Sequence, residues 1–379
     1  MTHYKFIIVS LFFLGFSNAK AQEILTLESA VKLALENNYE IKIASNNSLI
    51  NTTNVAVGNA GMLPVVSATV AANNRVQNSS QTLQSGVVNS LDNAKNNSLN
   101  YGVNLDWTVF DGFKMFAKLD QLKELQKLGE AQLKQTILTK ISAVTSTYFD
   151  LVQQQQQLEA LDSTIVISNQ RLALAQNRFI IGKASKLEVL NAQVDLNTDK
   201  VALLRQKDLY ANTKILFNQI LARDTKTNFK VIDAIKVDAT LVLNELTALA
   251  EKQNPQLEAQ IIALKVAELQ LKQVKANRYP TVRLNTGYNL SETQASLGFA
   301  TATSAKGLNY GFSAALNVFD GFAQNRNEKI AQLQIENSKL TIDQQKLALH
   351  SQLATSFQTY LTNLELIRLE DKNEAIAKQ

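Results

Sequence analysis

The chain has 379 residues with no cysteine, three prolines, thirteen glycines and a formal net charge of +5. It therefore forms no disulfide, and it lacks the clustered basic residues with interleaved aromatics that are typical of a nucleic-acid-binding surface. So few helix-breaking residues predict long, uninterrupted helices rather than the turn-rich fold of a globular enzyme of this length.

Residues 1–21 have the pattern of a secretory signal peptide. A short polar start is followed by an apolar run from Phe6 to Phe16, and Ala19-Lys20-Ala21 has the form of a cleavage site. The mature chain is therefore expected to begin at Gln22. No apolar run reaches the roughly 18 residues of a membrane-spanning helix, so membrane contact is predicted to come from strands or from the surface.

The chain contains an internal repeat. Leu99–Gly102 recurs as Leu308–Gly311, and Val109–Phe113 recurs as Val318–Phe322, in both cases 209 positions later. Two earlier matches lie 216 positions apart, and they pair Asn38 with Asn254 and Pro64 with Pro280. A fixed spacing of this kind indicates a duplicated structural unit. We predict a first repeat over 22–221, a linker or equatorial segment over 222–241 and a second repeat over 242–379.

Both repeats are predicted to contain the same elements in the same order. The first has a helix, a β-hairpin over 65–110, a long helix over 113–181 and a return helix over 185–221. The second has a helix, a β-hairpin over 281–319 and a long helix over 322–379. The counterpart of the return helix is missing, so we expect a C-terminally incomplete fragment, with a naturally shortened protein as the alternative.

The hairpins alternate apolar and polar residues with a period of two. This alternation suits a half-buried soluble sheet or the strands of an outer-membrane barrel, and the small and amide residues on the polar face favour the barrel. The stretch 75–98 is rich in Asn, Ser and Gln and is expected to be an exterior loop, as is the stretch 291–307. The residues expected to face lipid are Tyr101, Val103, Leu105, Trp107, Val282, Leu284, Tyr310, Phe312 and Leu316.

Four strands in one chain cannot close a membrane barrel. Lipid tolerates no open sheet edge, and known outer-membrane barrels start at about eight strands. Two copies would supply eight strands and three would supply twelve, and small barrels fill with their own side chains. The strand number therefore predicts an oligomer.

The first long helix is predicted to end in a reversal. Gly182 can adopt the left-handed conformation that ends a helix, and Ser185 can cap the next one. The motif R-F-x-x-G-x-x-S-x-x-x-V-L-x-A-Q over 178–193, together with the two F-D-G sequences and the two hairpins, resembles the TolC-like outer-membrane efflux protein family. The resemblance extends over nearly the whole chain.

The resemblance implies a mainly α, α+β fold: duplicated long-helix coiled-coil hairpins form an α-helical barrel, and four strands per chain enter a trimeric transmembrane β-barrel. It implies an outer-membrane location extending into the periplasm, a homotrimer in contact with outer-membrane lipid, a periplasmic membrane-fusion adaptor and an inner-membrane pump of the RND, ABC or MFS type. The residues implied at the adaptor-docking tip are Arg178, Ile181, Gly182, Lys183, Ala184 and Ser185. Those at the strand–helix junctions are Phe110, Asp111, Gly112, Phe319, Asp320 and Gly321.

The predicted function is that of a channel subunit in a tripartite efflux or type I secretion system, a passive conduit for small molecules or polypeptides. The alternative is a non-conducting trimeric coiled-coil scaffold or adhesin of the cell envelope. We predict no enzymatic activity, no cofactor, no metal and no nucleic-acid partner. His350, the histidine outside the signal peptide, has no Cys or His within a helical turn, and no phosphate-binding glycine motif is present.

Overall fold

The computed structural model describes residues 23–232 and 240–378. The predicted signal peptide lies outside these residues, as does part of the predicted linker. Within the described residues, no helix combines the length and the hydrophobicity needed to cross a membrane.

The described chain is mainly helical, with two very long helices and a set of antiparallel strands, as predicted. In chain order the elements are β1 (Glu23–Leu25), α1 (Leu27–Asn37), α2 (Tyr39–Asn54), β2 (Val65–Thr82), β3 (Val88–Phe110), α3 (Lys114–Ile180), α4 (Lys186–Ile220), β4 (Phe229–Val231), α5 (Leu243–Gln253), α6 (Pro255–Ala276), β5 (Thr281–Ala295), β6 (Ala302–Ala315) and α7 (Ala323–Ala377).

The residues cluster into two units that cut across the sequence repeats. One unit contains the residues up to Asn46 together with Leu133–Leu241, and the other contains Asn47–Gln132 and the chain from Val242 onward. Helices α2 and α3 therefore contribute residues to both units. Strands from the two repeats come together in the second unit, which explains why its boundaries differ from those of the repeats.

The core of the first unit surrounds a short parallel pair of strands, β1 and β4. Phe217 of α4 and Phe229 of β4 are fully buried, with ring centroids 5.7 Å apart. The hydroxyl of Tyr148 in α3 donates to the Leu25 carbonyl at 3.0 Å and accepts from the Ile232 amide at 3.0 Å. One buried tyrosine thus satisfies a backbone carbonyl at the end of β1 and a backbone amide just after β4. These two hydrogen bonds hold the strand pair against α3.

The second unit contains a four-stranded antiparallel sheet with the order β2-β3-β5-β6. Strands β2 and β3 come from the first repeat, and β5 and β6 come from the second. The strands neighbouring each other in sequence form hairpins, and β3 pairs with β5 to join the two hairpins. The two outer strands, β2 and β6, each have a single partner in the described chain.

The strands of the first hairpin extend far into the stretch predicted as a loop. Strand β2 continues to Thr82 and β3 begins at Val88, so only residues 83–87 form the turn, and the loop predicted over 75–98 is wrong. The loop predicted over 291–307 is also too long, because β5 reaches Ala295 and β6 begins at Ala302. Asn and Ser are common in turns, but on these strands the ladder hydrogen bonds satisfy their backbone groups.

Strand β6 is shorter than predicted. It ends at Ala315, which pairs with Thr281, the first residue of β5. Pro280 precedes Thr281 and has no N–H to continue the ladder. The prediction that this strand continues to Phe319 is therefore wrong for the single chain, and Leu316 lies one residue beyond β6.

The first helix of each repeat is broken at the same repeat position. Asn38 separates α1 from α2, and its Oδ1 accepts from the Glu40 and Ile41 amides at 2.9 and 3.3 Å. Asn254 separates α5 from α6, and its Oδ1 accepts from the second and third residues after it at 2.9 and 3.0 Å. A single continuous helix was expected in each case. Each asparagine instead caps a new helix, as this side chain favours.

Candidate functional site

The four-stranded sheet has one largely apolar face. Directly paired residues of antiparallel strands lie on the same side of a sheet. Trp107 of β3 pairs with Leu284 of β5, which pairs with Phe312 of β6, so the three side chains share one face. The predicted lipid-facing residues on this face, none of which is buried in the single chain, are Tyr101, Val103, Leu105, Trp107, Val282, Leu284, Tyr310 and Phe312.

The opposite face carries a ladder of polar side chains that links β3 to β5. The Ser291 hydroxyl donates to Asn100 Oδ1 at 2.6 Å, and the Asn289 amide donates to Asn104 Oδ1 at 3.0 Å. The Asn285 amide donates to Asp106 in the same row. The sheet therefore separates an apolar surface from a hydrogen-bonding surface, the arrangement of a barrel wall with lipid outside and water inside.

Trp107 has a polar partner at the end of the apolar face. Its indole Nε1 donates to the Met62 carbonyl at 2.9 Å, just before β2 begins. Tryptophans of this kind, with an apolar ring and one satisfied N–H, suit the interface between lipid and water.

The two strand–helix junctions have the same backbone geometry. Gly112 and Phe113 have φ values of 71° and 65°, and Gly321 and Phe322 have values of 65° and 64°. Two successive left-handed residues turn the chain sharply from strand into helix, and the first of them favours glycine. This backbone geometry accounts for the glycine at the third position of each F-D-G motif.

The aspartate of each junction caps the long helix that follows. Asp111 Oδ1 accepts from the Met115 amide at 3.2 Å, and Asp320 Oδ2 accepts from the Gln324 amide at 2.8 Å. A carboxylate at a helix N-terminus also interacts favourably with the helix dipole. The phenylalanine before each aspartate packs edge-on against the one after glycine, with centroids 5.3 and 5.5 Å apart in the two junctions.

The second junction contains an ion pair that the sequence analysis did not identify. Arg278, just after α6, contacts Glu328 of α7 at 2.5 Å, and the Gln324 side chain also donates to Glu328 at 2.8 Å. The hydrogen bond from Arg278 holds the pKa of the Glu328 carboxyl below its usual value, and the bond from Gln324 acts in the same direction. The repeat equivalents of Arg278 and Glu328 are Met62 and Leu119, which carry no charge. The ion pair is therefore not repeated in the first junction, and the internal repeat does not predict it.

The predicted tip is a tight reversal between α3 and α4. Gly182 has a φ of 73°, and the Lys183 amide donates to the Arg178 carbonyl at 2.8 Å, closing the end of α3. Ser185 caps α4 by accepting from the Glu188 amide at 3.3 Å. The left-handed glycine and the serine cap thus lie at the positions predicted from the sequence motif, Gly182 and Ser185.

The tip exposes apolar side chains together with an ion pair. Ile180 is 78% exposed and Ile181 is 64% exposed. The Arg178 guanidinium donates to Glu188 Oε1 at 2.9 Å across the turn. This ion pair depends on the turn, which brings Glu188 of α4 back to Arg178 of α3. Of the six predicted tip residues, Ala184 is half-buried and the other five are exposed.

The part of the chain that the structure describes contains no group of three or more His, Cys, Asp or Glu residues placed to hold a metal ion. His350 Nε2 lies 2.6 Å from Glu251 Oε1, in an exposed contact between α7 and α5.

The family model for outer membrane efflux proteins matches residues 30–223 and 246–379, and the chain belongs to this family. Its outer-membrane location and TolC-like fold are thereby confirmed. Members of the family are channels rather than enzymes.

The chain is also similar to individual proteins. It is 23% identical over 270 residues to Protein CyaE of Bordetella pertussis, covering 70% of this chain and 56% of CyaE, so it spans little more than half the length of that relative. Among solved structures, the outer-membrane channel OprN matches with a TM-score of 0.75 at 18% identity, covering 92% of this chain and 77% of OprN. The Campylobacter jejuni CmeC outer membrane channel matches with a TM-score of 0.70 at 17% identity, covering 88% and 71%.

Proposed function

We propose that this protein is the outer-membrane channel subunit of a tripartite efflux or type I secretion system, a passive conduit for exported small molecules or polypeptides. The observation that carries the proposal is the two-faced sheet, which is apolar on one side and polar on the other and leads through each F-D-G junction toward a long helix. A solvated scaffold has no use for such a sheet, because its apolar face would remain in water.

The working form is a homotrimer in contact with outer-membrane lipid. Each chain supplies four strands, and three copies supply the twelve that leave room for a water-filled pore. Closure removes the free edges of β2 and β6, which lipid would otherwise leave without hydrogen-bond partners. The helices extend the conduit into the periplasm.

The tip around Gly182 docks a periplasmic membrane-fusion adaptor, which connects the channel to an inner-membrane pump of the RND, ABC or MFS type. The exposed side chains of Ile180 and Ile181 support this role, since neighbouring apolar residues at a solvated helix end mark a contact surface. Arg178 and Glu188 hold the turn in shape.

Single-channel recording in planar lipid bilayers tests the conduit. Full-length protein extracted with detergent is expected to give stepwise ionic conductance. The alternative, a non-conducting scaffold or adhesin, predicts release without detergent and no conductance above that of the detergent control. That result would exclude the channel.

In vivo photocrosslinking tests the tip. A photoreactive phenylalanine analogue at Ile181 is expected to capture a periplasmic adaptor, identified by mass spectrometry of the crosslinked band. The control is the same analogue at Leu340, which is equally exposed, 64%, on α7. Equal capture at both positions, or capture at neither, would refute docking at the tip.

A further inference from the structure

The apolar face of the sheet continues beyond the strands onto the first strand–helix junction. Phe110 pairs with Val282 of β5, so both side chains lie on the apolar face. The Phe110 ring packs edge-on against Phe113, with centroids 5.3 Å apart, and Phe113 packs against Phe116 at 6.1 Å. Phe113 and Phe116 are both more than half exposed. The surface predicted to face lipid therefore extends past the turn to the first residues of α3.

Beside Phe113, the start of α3 and the end of α6 form an open groove, called here the junction groove. It encloses about 330 Å³, the size of a small ligand site. Its apolar wall consists of Phe113, Ala117, Leu269, Ala276 and Tyr279. At the upper end the two helices approach closely, because the position at the turn is glycine. An apolar chain can therefore lie in this groove and continue upward onto the apolar face of the sheet.

Two lysines of α6, Lys272 and Lys275, line the same groove. Both are exposed. Among the described residues, neither ammonium group has a hydrogen-bond acceptor or a carboxylate in contact with it. The groove thus combines an apolar wall with two positive charges, the chemistry that receives an anionic headgroup joined to a hydrocarbon chain.

The carboxylates near these lysines are already paired with other cations. Asp120 lines the groove, and it forms an ion pair with Lys123 at 3.2 Å. Glu328 is close enough to the Lys275 charge for its pKa to be lowered further, but its ion pair is with Arg278. The two groove lysines therefore remain available to an anion from outside the chain.

The lysines are not part of the duplicated scaffold. The repeat equivalents of Lys272 and Lys275 are Ala56 and Asn59, and that of Phe116 is Asn325. Both junctions nevertheless make the same left-handed turn and the same aspartate cap. The lysines and the extra phenylalanine are therefore not needed to build a junction, and this leaves them free for a separate role.

The lysines lie at the depth of a headgroup layer. Lys275 and Lys272 precede Tyr279 by four and seven residues, which corresponds to about 6 and 10 Å along a helix. The headgroup layer on each side of a bilayer is about 5–8 Å thick. If the apolar face of the sheet lies in the hydrocarbon, the lysine ammonium groups reach the phosphates of the periplasmic leaflet while their methylene stems cover the groove wall.

We infer that the junction groove binds one anionic glycerophospholipid of the periplasmic leaflet of the outer membrane. The lipid phosphate contacts Lys272 and Lys275, and the upper part of one acyl chain lies along Phe113 and Tyr279. The inference rests on the proposed channel and adds a specific lipid site to its general contact with the membrane. Basic pockets between membrane-protein helices bind anionic lipid headgroups in the same way.

The groove stays accessible in an assembly that closes through the outer strands. Helix α3 follows β3 and α6 precedes β5, and these two strands are the central pair of the sheet. The outer strands β2 and β6 are the ones that a neighbouring copy would cover. One site per chain is therefore expected in the assembled channel.

Native mass spectrometry of the full-length protein, purified from outer membranes and freed of lipid in mild detergent, tests the site. The protein is titrated with dioleoyl phosphatidylglycerol and, separately, with dioleoyl phosphatidylcholine, which has the same chains and no net charge. The wild type is expected to bind the anionic lipid about tenfold more tightly, saturating at one lipid per chain. In Lys272→Gln/Lys275→Gln the two affinities should agree within about twofold.

Lys339→Gln/Lys346→Gln is the matched control. It removes two exposed lysines of α7 that lie outside the junction groove. This variant is expected to keep the preference for the anionic lipid. An unchanged preference in Lys272→Gln/Lys275→Gln, or an equal loss in both double variants, would overturn the site.

Ala117→Phe tests the apolar half of the groove without a change in charge. Arg326 occupies the equivalent position of α7, so the start of the helix accepts a large side chain. The added ring fills space that the acyl chain would occupy, and binding of both lipids should weaken about fivefold. Undiminished binding would overturn the placement of the acyl chain in the groove.

The mass of the protein and its conductance in bilayers separate the lipid site from the channel. A conducting trimer whose lipid preference does not depend on the two lysines would overturn the lipid site and leave the channel intact. A periplasmic protein that copurifies with the trimer, is lost in Lys272→Gln/Lys275→Gln and takes the place of lipid would overturn the site in favour of a protein partner. A protein that is released without detergent and does not conduct would overturn both the site and the channel.

Discussion

Asp111 and Asp320 stand 209 positions apart and make the same hydrogen bond, each accepting from the backbone amide four residues later at 3.2 and 2.8 Å. Each follows the first residue of an aromatic pair and precedes two left-handed residues, the second of which completes that pair. The duplication has thus retained a complete turn from strand to helix.

Removing the cap at Asp320 is expected to loosen the start of α7. Asp320→Ala loses the acceptor for the Gln324 amide, at a cost of about 1 kcal/mol. Hydrogen exchange at Gln324 should accelerate correspondingly. Asp320→Asn is the control, since it keeps an accepting oxygen and should remain close to the wild type. Unchanged exchange in Asp320→Ala would contradict the capping role.

The tip is expected to tolerate asparagine but not valine at Gly182. The φ of 73° costs a residue with a Cβ about 1–2 kcal/mol, least for asparagine and most for a β-branched residue. Limited trypsin digestion at Lys183 measures the effect. Gly182→Val should be cut faster than the wild type and Gly182→Asn at a similar rate. A resistant valine variant would show that the turn does not depend on this conformation.

The two helix-breaking asparagines are expected to respond differently to aspartate. Asn254→Asp keeps the accepting oxygen of the cap and should be nearly neutral. Asn38→Asp keeps the cap but loses the donor that binds the Ile220 carbonyl at 2.8 Å, at a cost of about 1–3 kcal/mol. The midpoints of urea denaturation, followed by circular dichroism, measure both. Equal midpoints would mean that the contact with Ile220 contributes little.

The junction at Glu328 is expected to weaken in acid. The carboxyl pKa is lowered in the folded protein, first by the hydrogen bond from Arg278. A depressed pKa contributes stability that is present above the usual glutamate value and is lost as the pH falls through the lowered value. The stability difference between wild type and Glu328→Gln should therefore shrink on acidification. Thermal denaturation at a series of pH values measures it.

A matched variant distinguishes the pH effect of the Arg278–Glu328 contact from the effect of removing any surface carboxylate. Glu365→Gln removes an exposed ion pair with Arg368 within α7. If both variants showed the same pH profile relative to the wild type, the special role of the Arg278–Glu328 contact would be refuted.

The junctions and the tip were predictable because their chemistry is local. Gly112, Gly321 and Gly182 occupy left-handed positions, and aspartate or serine supplies the cap within a few residues. The alternation along β3 likewise predicted which residues share a face, and the register places them together.

Other features depend on partners far away in the sequence. The stretch around Asn96 has the composition of a loop, and it becomes strand because β2 and β5 both pair with it. The three-residue strands β1 and β4 lie about two hundred residues apart, and the Tyr148 hydroxyl that joins them leaves no pattern in the sequence. The end of β6 at Ala315 depends on where β5 begins, at Thr281 after Pro280.

The central claim is that four strands from each copy close a channel only in a trimer. The mass of the intact assembly tests this claim most directly. Native mass spectrometry of full-length protein extracted from outer membranes in mild detergent is the measurement. A mass of three copies is the predicted result. A stable single copy would contradict the account, because both edges of its sheet would stay unpaired in lipid, and a dimer would contradict the twelve-stranded barrel.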